Sequence, residues 1–161
     1  MNLHRICLRC HAIELCKNIE SKFMNYWLIK TEPGTWGWED QLNAKDQTEH
    51  WDGVRNYQAT NNMKAMQIGD RAFFYHSVKE KTIVGIVEVV SDYYPDHTDP
   101  KGKFGMVDFK AVAPVKNPVT LADIKAVPEL SEMVLVKNSR LSVQPVTKKE
   151  WKIICKMAGV K

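Results

Sequence analysis

Residues 26–33 read Tyr-Trp-Leu-Ile-Lys-Thr-Glu-Pro, an aromatic and branched apolar run that ends in polar residues and a proline. Such a run predicts a buried β-strand over about residues 25–31. Pro33 and Gly34 then predict a turn. The preceding residues 1–23 hold three of the four cysteines and show little strand pattern. We therefore expect residues 1–23 to be an N-terminal extension outside the fold and residues 24–161 to form the folded domain.

The apolar patterns of the remaining chain predict an α+β fold. Further strands are expected at about residues 72–76, 82–90, 106–115 and 141–146, where aromatic and branched side chains recur. Helices are expected at about residues 39–42, 56–66, 119–124 and 147–158, with Thr120 and Thr147 as N-caps and Gly159 at the end of the last helix. Residues 93–105 form the longest irregular segment. Five to six short strands with flanking helices favour a small mixed β-barrel.

Composition and charge narrow the class of protein. With 161 residues, 44% hydrophobic and 26% charged, the chain resembles one soluble globular domain. The longest uncharged apolar run, residues 82–87, is too short to cross a bilayer, and residues 1–23 lack the features of a signal peptide. We therefore expect no membrane partner and a cytoplasmic location, or a nuclear one in a eukaryote. The net charge of +4 is small for a protein that grips long duplexes, but it suits a pocket for one base.

Residues 51–61 read Trp-Asp-Gly-Val-Arg-Asn-Tyr-Gln-Ala-Thr-Asn, a segment too rich in specific side chains for an ordinary connection. An aromatic residue, a glycine, an arginine and asparagines suit a flat nucleobase, because rings stack on the base and amides bond to its edge. The segment contains neither a metal-ligand set nor a strong nucleophile. This pattern favours a protein that binds a base over one that reacts with it, and we expect no cofactor and no metal.

Five ordered blocks of sequence resemble the EVE domain family, a branch of the PUA-like fold, and the resemblance runs from Met24 to about Gly159. The blocks are residues 26–33, 51–59, 73–77, 84–90 and 140–146. The resemblance implies a compact β-barrel with one deep cleft, related to the domains that cage methylated adenine in RNA. It also implies the binding of a modified base, with modified cytosine in DNA as the leading candidate. The sequence departs from the family at Thr60, where many relatives carry an arginine, so a basic phosphate contact is expected to be missing.

Strand ends gathered at one rim of such a barrel would form the cleft. The residues expected to bind the base are Lys30, Trp36, Trp38, Trp51, Gly53, Val54, Asn56, Tyr75, His76 and Ser77, and those expected to contact phosphate or backbone are Arg55 and Arg140. Each assignment has an alternative. The three tryptophans could be core rings, and His76 could be a hydrogen-bonding or packing group. Arg140 could instead form a salt bridge that anchors the last strand.

The leading functional hypothesis is a monomeric binding module that accepts one modified nucleobase of DNA or RNA and performs no chemistry. A second hypothesis is a small amidohydrolase acting on modified cytidine, since the related ASCH branch uses lysine, threonine and a carboxylate, which Lys30-Thr31-Glu32 also supplies. Strand alternation argues against it, because adjacent residues point to opposite faces. A third hypothesis is an accessory domain that recognises the shape of RNA.

Residues 1–23 contain a pattern with chemical meaning of its own. Cys7-Leu8-Arg9-Cys10-His11 matches the attachment motif for c-type haem, and Cys16 with His4 or His11 could complete a zinc site. Haem attachment would require export, for which the sequence shows no signal. We favour an incidental extension over both sites.

Overall fold

The computed structural model describes residues 24–161, so the predicted extension with its cysteine motif lies outside the described residues. The domain is a mixed, curled six-stranded sheet with helices on both faces. The strands are β1 (Tyr26–Thr31), β2 (Thr48–His50), β3 (Arg71–His76), β4 (Thr82–Val89), β7 (Asp108–Thr120) and β8 (Val143–Val146), in the spatial order β2-β7-β4-β3-β1-β8. Strands β5 (Tyr94–Pro95) and β6 (Gly105–Met106) form a separate two-stranded ribbon. Strand β1 pairs with β3 in parallel, and the other pairs are antiparallel.

The helices are short and flank the sheet. They are α1 (Trp38–Asn43), α2 (Tyr57–Ala65), α3 (Leu121–Lys125), α4 (Val134–Lys137) and α5 (Lys148–Ala158), with 3-10 turns at Lys45–Gln47 and Pro128–Leu130. Thr120 and Thr147 form capping boxes at the starts of α3 and α5, as predicted, and Gly159 ends α5 in the left-handed conformation with φ 69°. Within residues 24–161, no helix has the length and apolar composition needed to span a bilayer. The architecture confirms the predicted α+β class.

Alternation along β1 divides the core into two layers. Trp27 and Ile29 pack on one face of the sheet, whereas Leu28 packs on the other. The second face is filled around Trp151 of α5, whose ring stacks on Phe73 with a centroid distance of 4.0 Å and on Tyr26 with 4.5 Å. Because both faces are covered, the strand ends at the rim of the sheet are left to form a cleft.

Three features differ from the sequence prediction. Strand β7 runs to Thr120, beyond the predicted end at residue 115, and its pairing with β4 is interrupted by two register shifts. Residues 93–105 are not wholly irregular, because they contain β5 and end at β6. Strand β2 and helix α4, with three and four residues, were not predicted. Segments of that length are too short to show a hydrophobic period.

Candidate nucleic-acid interface

Two cavities open beside each other at the end of β1. The first, which we call the base cavity, has a volume of about 460 Å³ and is lined by Lys30, Thr31, Thr35, Trp36, Glu49, His50, Trp51, Asp52, Gly53, Val54, Arg55 and Ser142. The second, which we call the basic groove, has a volume of about 550 Å³ and is lined by Lys30, Thr31, Glu32, Tyr75, Ser77, Val78, Lys81, Leu121, Lys125, Leu135, Ser139, Arg140 and Ser142. Lys30, Thr31 and Ser142 belong to both. The cavities therefore share a wall.

Two tryptophans form the aromatic part of the base cavity. Trp51 is only 7% exposed, because its ring packs edge-on against Phe74 and Phe109 with centroid distances of 5.8 and 5.7 Å. Trp36 is half-buried, and its indole N–H donates to Gln41 Oε1 at 3.1 Å. Both rings are thus held in place by neighbours while part of each lines the cavity. Fixed aromatic rings at a cavity wall suit stacking on a flat guest.

The loop after β2 spans residues 51–56, and its residues 51–55 line the base cavity. The backbone N–H of Trp51 donates to the carbonyl of Val107 at 2.8 Å, which ties the start of the loop to the β6–β7 segment. Gly53 adopts a φ of 74°, in the left-handed region that glycine enters without strain. The side chain of Asn56 accepts a hydrogen bond from the N–H of Ala59 at 2.9 Å and so caps α2. The loop is therefore fixed at both ends.

Asp96 holds this loop from the neighbouring segment. Its buried carboxylate accepts from Arg55 Nη1 at 2.7 Å and from the N–H of Gly53 at 2.9 Å. The backbone N–H and hydroxyl of Thr98 donate to it at 2.7 and 2.6 Å. Burial alone would raise the pKa of the Asp96 carboxyl, but the hydrogen bonds that it accepts outweigh burial and hold that pKa well below its ordinary range. Arg55 therefore carries a paired charge, and its hydrogen bond with Asp96 raises its own pKa.

Lys30 stands between the two cavities. Its Nζ donates to the carbonyl of Ser139 at 2.5 Å and lies 5.5 Å from the centroid of the Tyr75 ring. Burial lowers the pKa of this ammonium group. The position gives both cavities access to the same cation.

The basic groove concentrates positive charge. Lys30, Lys81, Lys125 and Arg140 line it together with one acidic residue, Glu32. Within residues 24–161, none of these four cations has a carboxylate oxygen within 4.0 Å. The salt bridge considered for Arg140 is thus not formed among the described residues. Exposed unpaired cations along a groove are the arrangement that binds phosphates.

Three of the residues expected to bind the base line neither cavity. Trp38 is 7% exposed, and its ring packs on Phe74 and over Gly85. His76 is buried: its Nε2 accepts from the N–H of Trp38 at 3.1 Å and its Nδ1 lies 2.6 Å from Glu80 Oε2. Asn56 is the cap of α2 described above. These contacts give all three residues structural roles, which are the alternatives stated for Trp38 and His76.

The other expected residues divide between the two cavities. Trp36, Trp51, Gly53, Val54 and Arg55 line the base cavity. Tyr75, Ser77 and Arg140 line the basic groove, and Lys30 lines both. The hydroxyl of Ser77 donates to the carbonyl of Thr31 at 3.0 Å, and burial raises the pKa of Tyr75. Most of the predicted site residues therefore lie in one region of the structure, where they are divided between two adjoining cavities.

The sequence reasoning missed several residues of the base cavity, namely Thr35, Glu49, His50, Asp52 and Ser142. Glu49 and His50 were missed because they lie on β2, which is too short to predict. Asp52 lies within residues 51–61, the segment expected to bind the base. Its negative charge was the feature by which the sequence could have identified it as a site residue. His50 and Asp52 also lie close to His97, a residue of the irregular segment.

The chain is similar in sequence and fold to several known proteins. The chain is 36% identical to human thymocyte nuclear protein 1 over 170 residues, which cover 86% of this chain and 76% of that protein. A protein from Rhodopseudomonas palustris solved by NMR is 55% identical, with a TM-score of 0.80 over 84% of this chain and 94% of that chain. The crystal structure of human THYN1 protein in complex with 5-methylcytosine containing DNA is 36% identical, with a TM-score of 0.77 over 85% of this chain and 99% of that chain. The EVE domain profile matches residues 25–157, and the chain belongs to the EVE domain family.

Proposed function

We propose that this protein is a binding module that takes one modified base, in the first place 5-methylcytosine, from a nucleic acid into the base cavity. The observation that carries the proposal is a cavity of about 460 Å³ lined by Trp36 and Trp51 beside a groove lined by four cations. That volume lies within the roughly 300–1,000 Å³ of small-molecule pockets. The human relative that was crystallised with 5-methylcytosine DNA supports the same class of ligand.

The base cavity offers groups that match the edge of cytosine. The exocyclic amine of cytosine is a donor, and carboxylates such as Glu49 or Asp52 accept from it. The ring nitrogen and carbonyl oxygen are acceptors, for which Lys30 supplies N–H groups. Val54 gives an apolar surface for a methyl group. Stacking on Trp36 or Trp51 would contribute about 1–3 kcal/mol for a single base.

The phosphates on either side of that base would lie along the basic groove. Lys81, Lys125 and Arg140 would contact phosphate oxygens, and Tyr75 and Ser77 lie in the same wall. Such contacts position the strand but carry no sequence information. Arg55, which was expected to contact phosphate, would instead fix the shape of the loop, because its guanidinium already donates to Asp96 and Thr98.

Fluorescence anisotropy with labelled single- and double-stranded oligonucleotides tests the proposal. The oligonucleotides differ only in whether one cytosine is 5-methylated, and an RNA of the same sequence is included. We expect tighter binding of a modified strand, and weakening by about tenfold in Trp36→Ala, in line with the loss of one stacking contact. Tyr57→Ala is the matched control, because Tyr57 is 65% exposed and lies outside both cavities.

Equal weak binding of all these oligonucleotides would contradict the proposal. Preference for a folded RNA regardless of modification would favour the shape-recognising accessory domain instead. The protein is further proposed to act as a monomer, in the cytoplasm or, in a eukaryote, in the nucleus. Light scattering coupled to size exclusion checks the oligomeric state.

One observation favours a second candidate, an amidohydrolase of acylated cytidine. Burial lowers the pKa of Lys30, as is common for lysines that act as bases or nucleophiles, and Thr31 lines the same cavities. Against it, the Thr31 hydroxyl donates to the carbonyl of Trp36 at 2.8 Å, and Lys30 Nζ lies more than 4.0 Å from the Glu32 carboxylate. Release of the acyl group from acylated cytidine, abolished by Lys30→Ala, would establish this activity. We expect no release.

A further inference from the structure

Three side chains that could bind a metal meet at the mouth of the base cavity. His50 ends β2, Asp52 lies in the following loop, and His97 lies in the segment after β5. The Nε2 atoms of His50 and His97 lie 3.9 and 4.0 Å from Asp52 Oδ2. One ligand atom of each of the three residues lies within 4.8 Å of the others. All three side chains are at least 40% exposed, so a solvated ion has direct access.

We propose that His50, Asp52 and His97 form a binding site for a divalent transition metal ion of the zinc type. Two imidazoles and one carboxylate are a common ligand set for such ions. Bonds of about 2.0–2.2 Å in a tetrahedral site place neighbouring ligand atoms roughly 3.3–3.5 Å apart. The two separations from Asp52 exceed this by about half an ångström, the ligand atoms of the two histidines lie within 4.8 Å of each other, and rotation of the exposed side chains closes these gaps. A fourth coordination position is left for water or for a ligand atom in the cavity.

Glu49 supplies an independent argument for the site. Its Oε1 lies 3.0 Å from His50 Nδ1, so a carboxylate stands beside the ring nitrogen that is not the one nearest to Asp52. The other nitrogen, Nε2, lies 3.9 Å from Asp52 Oδ2, so its lone pair and that oxygen can both bind an ion between them. Histidines that bind metals almost always donate their second ring N–H to a carboxylate or carbonyl in this way. Glu49 is therefore a positioning residue for the ion.

The ion would join two segments that Asp96 already holds together. Asp96 is the neighbour of His97 and bonds to Gly53 and Arg55, which follow Asp52 in the loop. The rings of His50 and His97 pack edge to face with centroids 5.0 Å apart, so the two histidines already contact each other. Because His50 and Asp52 line the base cavity, the ion would sit at its entrance. The zinc titration below is made without nucleic acid, so its outcome is independent of the proposed function.

Calorimetric titration of the full chain with zinc alone tests the inference. The titration is made in a Cys7→Ser, Cys10→Ser, Cys16→Ser background, because cysteine thiolates in general are zinc ligands and would compete with the proposed site. We expect one ion per chain in this background. Asp52→Asn, His50→Ala and His97→Ala are each expected to weaken binding at least about tenfold, and Glu49→Gln about tenfold through its positioning role. Asp92→Asn, at an exposed aspartate that lines neither cavity, is the matched control for Asp52→Asn and leaves the affinity unchanged.

A second measurement keeps the test independent of heats of binding. Zinc is expected to raise the thermal unfolding midpoint of the background protein but not that of its His97→Ala derivative, since an ion that binds only the folded state stabilises it. The inference is overturned if the background protein binds no zinc, or if the three ligand substitutions leave its affinity unchanged. Circular dichroism confirms that each variant is folded.

Discussion

Trp38 and Trp51 are equally buried, yet only Trp51 lines a cavity. The difference comes from their partners. Gly85 leaves a space on β4 that the Trp38 ring occupies, with three ring carbons within 2.6 Å of where a Cβ of residue 85 would lie. Trp51 meets Phe74 and Phe109 with ring planes near a right angle, and part of its own ring lines the base cavity. The absence of a side chain at Gly85 of β4 therefore lets the Trp38 indole pack into the core, whereas the Trp51 indole lines the base cavity.

Gly85→Ala is expected to destabilise the fold. The added methyl group overlaps the Trp38 ring, and overpacking of this kind costs about 1–3 kcal/mol of unfolding free energy. Urea unfolding followed by fluorescence measures the loss. Gly34→Ala is the control, because no atom lies within 4 Å of its added methyl group. Equal stability of the two variants would contradict the packing of Trp38.

Thr60→Val is expected to leave stability unchanged or raise it by up to about 1 kcal/mol. The Thr60 hydroxyl is buried and has no hydrogen-bond partner among the described residues, so a methyl group of the same shape removes an unpaired polar atom. Thr147→Val makes the contrast, because the Thr147 hydroxyl caps α5 and its loss costs about 1 kcal/mol. Chemical denaturation of both variants tests this, and a larger loss for Thr60→Val than for Thr147→Val would be inconsistent with the structure.

At the scale of elements, the loop after β2 depends on residues 96–104. Asp99 accepts from the backbone N–H groups of Lys101, Lys103 and Phe104 at 2.6–3.0 Å, which orders a segment that the sequence alone presents as irregular. Asp96 in turn bonds to Gly53 and Arg55. The wall of the base cavity is therefore held by carboxylates, and its stability depends on pH.

Asp96→Asn is expected to lower the unfolding free energy at pH 7 by about 1–3 kcal/mol, because the charged acceptor of several donors is lost. The lowered pKa of Asp96 sets the sign of the pH dependence. As the pH falls below about 4, the ordinary carboxyl range, Asp96 becomes protonated in the unfolded chain but stays ionised in the folded chain. Protonation therefore stabilises the unfolded state, and the unfolding free energy of the wild type declines. Denaturation between pH 7 and pH 3 is expected to show a shallower decline for the variant. Parallel curves would contradict this assignment.

The strongly patterned elements were predictable from sequence, and the weakly patterned ones were not. Strands β1, β3 and β4 and helix α5 follow from local apolar periods and caps. Strand β2 exists because Thr48, Glu49 and His50 pair with β7, a long-range contact that leaves no period in three polar residues. Consequently, the acidic and histidine side chains that β2 brings to the base cavity were also missed.

At the scale of the whole molecule, a net charge of +4 conceals an uneven distribution. Four cations converge on the basic groove although they come from β1, the β3–β4 connection, α3 and the loop before β8. The sequence and its family resemblance predicted the fold, and nine of the twelve residues named for the site line one of the two cavities. Neither the sequence nor the resemblance could divide the lining between two cavities, because that division depends on how separate strand ends meet in space.

Arg140→Ala is expected to weaken nucleic-acid binding and to reduce its salt dependence. Each phosphate contact to a single strand contributes about 0.7 to the slope of log affinity against log salt, so the variant loses about that amount. Anisotropy titrations from low to physiological salt give the slope. Lys152→Ala on the exposed side of α5 serves as control and keeps the wild-type slope. A slope unchanged by Arg140→Ala would remove this residue from the phosphate path.

The position of Lys30 has one further consequence. The ammonium of Lys30 lines both the base cavity and the basic groove, and it already donates a hydrogen bond to the carbonyl of Ser139. Under the proposed function, a base that recruits this ammonium would withdraw it from the basic groove and release the Ser139 carbonyl. Occupation of one cavity would then weaken binding in the other, because both would draw on one movable charge.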